Sequence, residues 1–94
     1  MEVAGIIWLR NVVDKLAWKH ATTTDEVEEV FNHAPRYRFI ERGDVESEDL
    51  YAALGQTEAG RYLIVYFVYK TSGEALIVSA REMTPREKKA YGKR

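Results

Sequence analysis

The spacing of apolar residues changes from a helical period to a strand period at Pro35, and this change constrains the fold most. Before Pro35, apolar side chains recur every three or four residues, as they do in an amphipathic helix. After it, residues 36–42 alternate in polarity and are rich in strand-favouring side chains. Helices followed by a run of strands predict an α+β fold rather than an alternating α/β fold.

Two short helices are predicted before the change of period. Asn11 is the predicted N-cap of the first helix, and Thr23 with Glu26 forms a capping box that begins the second. About two residues join the helices, so we expect a bent helical pair. The short apolar run at residues 6–9 predicts a strand ahead of them.

The second half of the chain predicts an antiparallel meander. The predicted strands are residues 36–42, 50–56, 61–69 and 75–81. Residues 61–69 are apolar on both faces, which is typical of a central strand. Thr84, Pro85 and Glu87 then form a second capping box, and Gly92 is a natural stop for the helix that it begins. We therefore predict one domain over residues 1–94, with two helices, a meander and a closing helix.

The composition excludes several classes of chemistry. The chain has 94 residues, of which 46% are hydrophobic, and no cysteine, so disulfides, thiolate metal ligands and cysteine nucleophiles are excluded. No apolar run reaches the roughly 18–20 residues of a membrane-spanning helix, and we expect a cytoplasmic protein without membrane contact. His, Asp and Glu do not cluster at metal-ligand spacing, and a phosphate-loop glycine pattern is missing, so we expect no cofactor.

Charge is distributed unevenly along the chain. The net charge is −1, yet residues 1–80 hold 8 Lys/Arg against 13 Asp/Glu, whereas residues 81–94 hold 6 against 2. A basic C-terminal end favours an anionic partner, although a solvated basic helix is the alternative.

Motifs spread over nearly the whole chain resemble one family. They are Trp8 ahead of Lys19-His20, residues 23–31, 53–55, 60–63 and 78–81, and Arg86-Glu87 with Tyr91. In order and spacing they resemble the BrnT family of type II toxin–antitoxin toxins. The resemblance implies a RelE-like fold, metal-independent cleavage of RNA and a BrnA-like antitoxin partner. Ala21 departs from the family's usual glycine, which is the common helix stop. A homodimer and a toxin–antitoxin heterotetramer both stay open.

Metal-free RNA cleavage has three chemical requirements. A base takes the 2′-hydroxyl proton, an acid protonates the leaving 5′-oxygen, and cations stabilise the charge on the phosphate. The candidates for catalysis are Arg81, Arg61, His20, Lys19, Glu87 and Tyr91. The candidates for RNA binding are Arg86, Lys88 and Lys89.

The two arginine candidates each have a structural alternative. Arg81 ends the last strand, where it can hold a phosphate beside the positive N-terminus of the closing helix, or pair with a nearby carboxylate. A symmetric turn at residues 70–73 would pair Arg61 with Glu82 and Tyr62 with Arg81 across the hairpin. An ion pair with Glu82 would then explain Arg61 without any phosphate.

The remaining catalytic candidates are equally open to structural interpretations. Glu87 occupies the third position of its capping box, which explains it without catalysis. Tyr91 lies four residues on and shares its face, where packing on the sheet is the alternative. His20 falls on the apolar face of the first helix, so acid–base chemistry and a hydrogen-bonded core position are both open.

The aromatic run of the central strand has two interpretations. Tyr62 and Tyr66 face opposite to Phe67 and Tyr69, which argues against one RNA-stacking platform. We expect these rings to fill the core or a subunit interface.

Two functions follow from these observations. The first is a ribosome-independent endoribonuclease toxin, with RNA lying near Arg61, Arg81 and the closing helix. The alternative is a non-catalytic binding module or toxin relic that acts through a protein partner. The two functions are distinguished by whether Arg81, Glu87 and the Lys19-His20 pair converge on one pocket. If Glu87 only caps its helix and Arg81 only pairs with Glu82, the binding module is favoured.

Overall fold

The computed structural model describes residues 1–46 and 48–92. In that part of the chain, five strands form one sheet and three helices lie at the two ends of the sequence. The strands are β1 (Gly5–Ile7), β2 (Arg36–Glu41), β3 (Leu50–Gln56), β4 (Tyr62–Tyr69) and β5 (Glu74–Glu82). The helices are α1 (Arg10–His20), α2 (Thr24–Asn32) and α3 (Pro85–Gly92). The predicted α+β class is confirmed. Among the helices of residues 1–46 and 48–92, no candidate for a membrane-spanning segment is found.

The sheet has the strand order β1-β5-β4-β3-β2. Strands β2 to β5 form the predicted antiparallel meander, and β4 lies at its centre. β1 is a short strand that pairs in parallel with β5 at the far edge, so the whole sheet is mixed. The edges are therefore β1 and β2.

The start of α1 differs from the prediction, which made Asn11 the N-cap. The helix begins at Arg10, and Leu9 is its N-cap without a side-chain hydrogen bond. The Leu9 carbonyl accepts hydrogen bonds from the amides of Val12 and Val13, both at 3.0 Å. Because this carbonyl starts the helical hydrogen bonding two residues early, Asn11 lies inside the helix.

Both predicted capping boxes are confirmed. At α2, the Glu26 amide donates to the Thr23 hydroxyl at 3.1 Å and the Thr23 amide donates to the Glu26 carboxylate at 3.0 Å. At α3, the corresponding distances between Thr84 and Glu87 are 3.2 Å and 2.8 Å. Each box satisfies amides that would otherwise lack a partner at the helix start.

The register of the β4–β5 hairpin differs from the prediction by two residues. Arg81 pairs with Ile64 rather than with Tyr62. A β-bulge contributes to the difference, because Ser79 and Ile77 pair with consecutive β4 residues and Val78 between them has no partner. A shift of two residues preserves the side-chain faces, so Tyr62 and Arg81 still share one face of the sheet.

The two faces of the sheet are covered unequally. α1 and α2 pack over the main core on one face, and the fully buried Phe67 lies at its centre. On the other face, hereafter the α3 face, α3 packs over a smaller cluster formed by Ala52, Leu54, Ile64 and Met83. Tyr62 and Tyr66 border this cluster and are only partly buried. Phe67 thus fills the core as expected, whereas Tyr62 and Tyr66 lie at the border of the smaller cluster, and a subunit interface for them stays a prediction.

Candidate functional site

A bidentate ion pair joins the end of β5 to the first turn of α3. Arg81 donates from Nη1 to Glu87 Oε1 at 2.7 Å and from Nη2 to Glu87 Oε2 at 2.9 Å. This planar geometry is the strongest form of arginine–carboxylate contact. Glu87 also accepts the Thr84 amide, so the same carboxylate caps the helix and holds the arginine. The carboxylate that pairs with Arg81 is Glu87, whereas Glu82 offers it only a backbone carbonyl at 3.1 Å.

Tyr66 completes this arrangement, which we call the Arg81 site (Arg81, Glu87 and Tyr66). Arg81 Nη2 donates to the Tyr66 hydroxyl at 3.1 Å, and its guanidinium carbon lies 5.8 Å from the ring centre. The side chain of Arg81 keeps 35% of its surface exposed. The site therefore offers a positioned, accessible cation to a solvent-borne anion.

The ion pair changes the protonation equilibria of both partners. The hydrogen bond from Arg81, together with the Thr84 amide, lowers the pKa of Glu87 from 4.5 to about 2. The hydrogen bond to Glu87 raises the pKa of Arg81 above its usual value. Both groups are ionised at neutral pH.

A tyrosine-lined cavity adjoins the Arg81 site on the α3 face. The Tyr62 and Tyr91 rings meet edge to face with their centres 6.0 Å apart. Arg36 lies 5.5 Å from the centre of the Tyr91 ring, and Lys88 lies 5.5 Å from that of Tyr62. The cavity, hereafter the tyrosine pocket, has a volume of about 340 Å³. Its lining residues are Ala34, Arg36, Gln56, Tyr62, Lys88, Tyr91 and Gly92.

Arg61 is held on the opposite side of the sheet, at the joint between α1 and α2. Its Nη1 donates to Glu26 at 3.0 Å and to the Ala21 carbonyl at 2.9 Å, and its Nη2 donates to the His20 carbonyl at 3.0 Å. The Glu82 carboxylate lies 3.6 Å away, so the predicted ion pair exists although the predicted register is wrong. We call this arrangement the Arg61 clamp.

Burial works to raise the pKa of Glu26 in the clamp. Hydrogen bonds from the Thr23 amide and from Arg61 outweigh it, so this pKa lies below its usual value. The clamp is therefore also an ionised pair at neutral pH.

Lys19 and His20 lie in the last turn of α1. Lys19 is exposed, His20 is partly buried, and the His20 carbonyl accepts hydrogen bonds from Arg61 and from the Thr22 hydroxyl. Within residues 1–46 and 48–92, no hydrogen bond or ion pair joins either side chain to Arg81. The structure thus brings Arg81 and Glu87 together, with Tyr91 one helical turn further along α3. It leaves Lys19, His20 and Arg61 at the α1–α2 joint.

The RNA-binding candidates lie on α3. Lys88 covers the Tyr62 ring, whereas Arg86 and Lys89 are exposed. Lys93 and Arg94 also contribute to the basic C-terminal composition, but they lie outside the described residues.

Sequence reasoning did not identify several contributors to this face. The sequence predicts Tyr66 in the core or an interface, because Tyr66 and Phe67 face opposite sides of the strand and so do not form one stacking platform. Arg36 and Gln56 come from β2 and β3, and nothing local in the sequence joins them to α3. The alternation of β4 was the available signal, since it places Tyr62 and Tyr66 on one face.

The described residues form no group of three or more His, Cys, Asp or Glu side chains able to hold a metal ion. The fold and the site define a small α+β protein with a cationic, tyrosine-rich surface.

The chain matches one known protein family. The family described as the ribonuclease toxin BrnT of type II toxin–antitoxin systems matches residues 10–87. This match spans most of the chain, so the chain belongs to the BrnT family, and the resemblance noted above is confirmed. No curated protein matches the chain. Membership in a family of type II ribonuclease toxins implies an RNA target and an antitoxin partner.

Proposed function

We propose that this toxin cleaves RNA without a metal ion at the Arg81 site. The observation that carries the proposal is a partly exposed arginine held between a carboxylate and a phenol on the α3 face. A guanidinium binds phosphate through the same two-pronged geometry that it uses for carboxylate. Arg81 is therefore prepared for a phosphate before the RNA arrives.

The substrate phosphate competes with Glu87 for Arg81. Basic side chains on the same face, Arg36 and Lys88, offset the negative charge of the carboxylate and attract the RNA backbone. Arg86 and Lys89, exposed on α3, extend this attraction. When the phosphate takes hydrogen bonds from Arg81, Glu87 loses the main interaction that lowers its pKa.

The proposed chemical step is an attack within the RNA chain. The 2′-oxygen forms a bond to phosphorus as the bond from phosphorus to the 5′-oxygen breaks, which yields a 2′,3′-cyclic phosphate and a 5′-hydroxyl end. Glu87, released from Arg81, takes the 2′-hydroxyl proton, and the Tyr66 hydroxyl donates a proton to the leaving 5′-oxygen. Arg81 stabilises the charge that develops on the phosphate.

The other candidates receive supporting roles in this proposal. Arg61 has a structural role, because the Arg61 clamp fixes the joint between α1 and α2. Tyr91 contributes its ring to the tyrosine pocket. Lys19 and His20, which are catalytic candidates in the sequence, are assigned in this proposal to contact with RNA that runs past the end of the sheet.

The proposed antitoxin is BrnA-like and neutralises the toxin by covering the α3 face. α3 has only eight residues and leaves Tyr62 and Tyr66 partly exposed. A partner that covers these rings and Arg81 would keep RNA away from the site. A toxin–antitoxin heterotetramer, or a toxin homodimer, remains the proposed assembly.

One observation favours a second function, a binding module without catalysis. Glu87 already engages both terminal nitrogens of Arg81, and this pair stabilises the start of α3 without any substrate. In this alternative, the same face binds the antitoxin or RNA and no bond is cleaved.

The test is cleavage of single-stranded RNA in EDTA. The wild type is compared with Arg81→Ala and with Arg10→Ala, a matched control at an exposed position on α1. We expect wild type and control to cleave alike, and Arg81→Ala to be slower by about 100-fold or more. A folded wild type without cleavage at high protein and low salt contradicts the enzyme, as does full activity in Arg81→Ala.

A further inference from the structure

We propose that the tyrosine pocket binds one unpaired base of the RNA beside the phosphate at Arg81, and so sets the cleavage preference. This inference rests on the proposed function and identifies the part of the substrate that determines specificity. A pocket of about 340 Å³ is near the lower end of ligand-binding cavities, which run from about 300 Å³, and has room for a single base.

The pocket lies within reach of a nucleotide adjoining the Arg81 site. Tyr62 is two residues from Ile64, the β4 partner of Arg81, a separation of about 7 Å along the strand. α3 spans both places, since Glu87 binds Arg81 while Lys88 covers Tyr62. A phosphate at Arg81 thus leaves its neighbouring base at the mouth of the pocket.

The rings of the pocket are suited to stacking. Tyr62 and Tyr91 are partly exposed, and cationic side chains, Lys88 and Arg36, lie over them. Unpaired RNA bases stack on tyrosine rings and on guanidinium planes. Lys88 is exposed and flexible, so a base displaces it from Tyr62 and its charge moves to the RNA backbone.

Gln56 supplies the group that distinguishes one base from another. Its Nε2 donates to the Gly60 carbonyl over a long distance of 3.4 Å, a weak contact that a base edge readily replaces. A glutamine amide has donors and an acceptor, so it matches a base edge that presents both kinds of group. Stacking then gives affinity, and Gln56 gives the preference.

The inference is tested by binding, independently of cleavage. RNA trinucleotides with 2′-O-methyl groups, which cannot react, are titrated into the protein and followed by NMR. An abasic nucleotide is placed at each of the three positions in turn. We expect one abasic position to weaken binding to the wild type about tenfold, because the base loses its stacking contact.

Variants connect this loss to the pocket. Tyr62→Leu should bind the complete and the abasic trinucleotides equally, whereas Tyr62→Phe keeps the ring and should discriminate as the wild type does. Trp18→Leu removes an exposed aromatic ring outside the pocket and should also discriminate normally. Gln56→Ala should keep the tenfold effect of the abasic position and change which base is preferred there.

The outcomes separate this inference from the proposed function. If the protein cleaves RNA but binds complete and abasic trinucleotides equally, the proposed base-binding pocket is wrong and the proposed nuclease activity stands. Abasic discrimination without cleavage supports the pocket and overturns the nuclease. Trinucleotides that do not bind to the folded protein overturn the pocket. If Tyr62→Leu changes only the self-association measured by sedimentation, the pocket is a contact with a second copy of the chain. That result also contradicts the proposed base-binding pocket.

Discussion

The protein builds the same arrangement twice, on opposite faces of one sheet. In each case a Thr-x-x-Glu capping box begins a helix, and an arginine from the sheet region binds the glutamate of the box. Arg61 binds Glu26 at the start of α2, and Arg81 binds Glu87 at the start of α3. The two arginines differ in their remaining partners and in exposure, which is 21% for Arg61 and 35% for Arg81.

Those remaining partners explain why one arrangement is structural and the other a candidate site. Arg61 also donates to the His20 and Ala21 carbonyls, which end α1 and carry the partial negative charge of a helix C-terminus. The backbone of α1 fixes these carbonyls in position, so the guanidinium of Arg61 keeps its hydrogen bonds to them. Arg81 instead donates to a Tyr66 hydroxyl on an open face, where a phosphate can take over its hydrogen bonds. Identical capping motifs therefore do not imply identical roles.

The largest expected effect on stability comes from Arg61→Ala. The substitution leaves two helix-terminal carbonyls and Glu26 without their guanidinium partner, so the free energy of unfolding should fall by about 2–3 kcal/mol. Arg61→Lys keeps the charge but not the planar fork and should recover less than half of the loss. Urea unfolding measures both variants. A loss below about 0.5 kcal/mol would mean that Arg61 is not a structural clamp.

The Arg81 pair should show itself in the pH dependence of stability. Because the pKa of Glu87 is lowered from 4.5 to about 2, its contribution is complete above the unfolded value and is lost as pH falls through 2. Glu87→Gln removes this titration, so its unfolding free energy should decline less steeply between pH 4.5 and 2. Urea midpoints over this range provide the measurement. Parallel curves for variant and wild type would contradict the ion pair.

Glu82 connects the two arrangements, and its substitution separates them. Its carboxylate lies near Arg61, but only its backbone carbonyl binds Arg81. Glu82→Gln should therefore cost about 0.5 kcal/mol or less of stability, since the carboxylate is largely exposed, and leave RNA cleavage unchanged. Unfolding and cleavage assays on one preparation check both expectations. A cleavage rate that falls tenfold would assign the carboxylate itself to the site.

The smallest effect is expected at Ala21 in the Arg61 clamp. Ala21 adopts a left-handed conformation with φ of 48°, a region of backbone conformation that favours glycine. Glycine removes the strain of this conformation, and the entropy that it adds to the unfolded chain offsets only part of this gain, so Ala21→Gly should stabilise the protein by roughly 0.5 kcal/mol. Thermal unfolding measures the change, and a clear loss of stability would contradict the strained cap.

Contacts between residues close in sequence could be predicted, whereas contacts between different helices and strands could not. Both capping boxes follow from a threonine and a glutamate three residues apart, and both are present. The β-bulge at Val78 left no signature in the sequence and accounts for one of the two residues by which the predicted pairing of Arg81 is wrong; the turn between β4 and β5 accounts for the other. Asn11 was misplaced for a related reason, since a backbone carbonyl replaced the expected side-chain cap.

The candidate site was partly predictable for the same reason. Arg81 and Glu87 were both identified as candidates. Their bidentate contact crosses the turn between β5 and α3, and the number of residues between them does not determine the geometry of that turn. Arg36 reaches Tyr91 only because β2 and α3 meet on one face of the folded sheet. Such a contact depends on strand order, which the sequence leaves open.

We propose that Arg81 exchanges its hydrogen bonds within the protein for hydrogen bonds to RNA, whereas Arg61 keeps its partners. One titration compares the two arginines within the same molecule. A 2′-O-methyl RNA trinucleotide is added to isotope-labelled protein, and the side-chain Nε–H resonances of both arginines are followed by NMR. We expect a saturable shift for Arg81 and an unchanged resonance for Arg61. A shift of the Arg61 resonance without a shift of the Arg81 resonance would contradict this expectation. RNA binding that shifts neither resonance would contradict it as well.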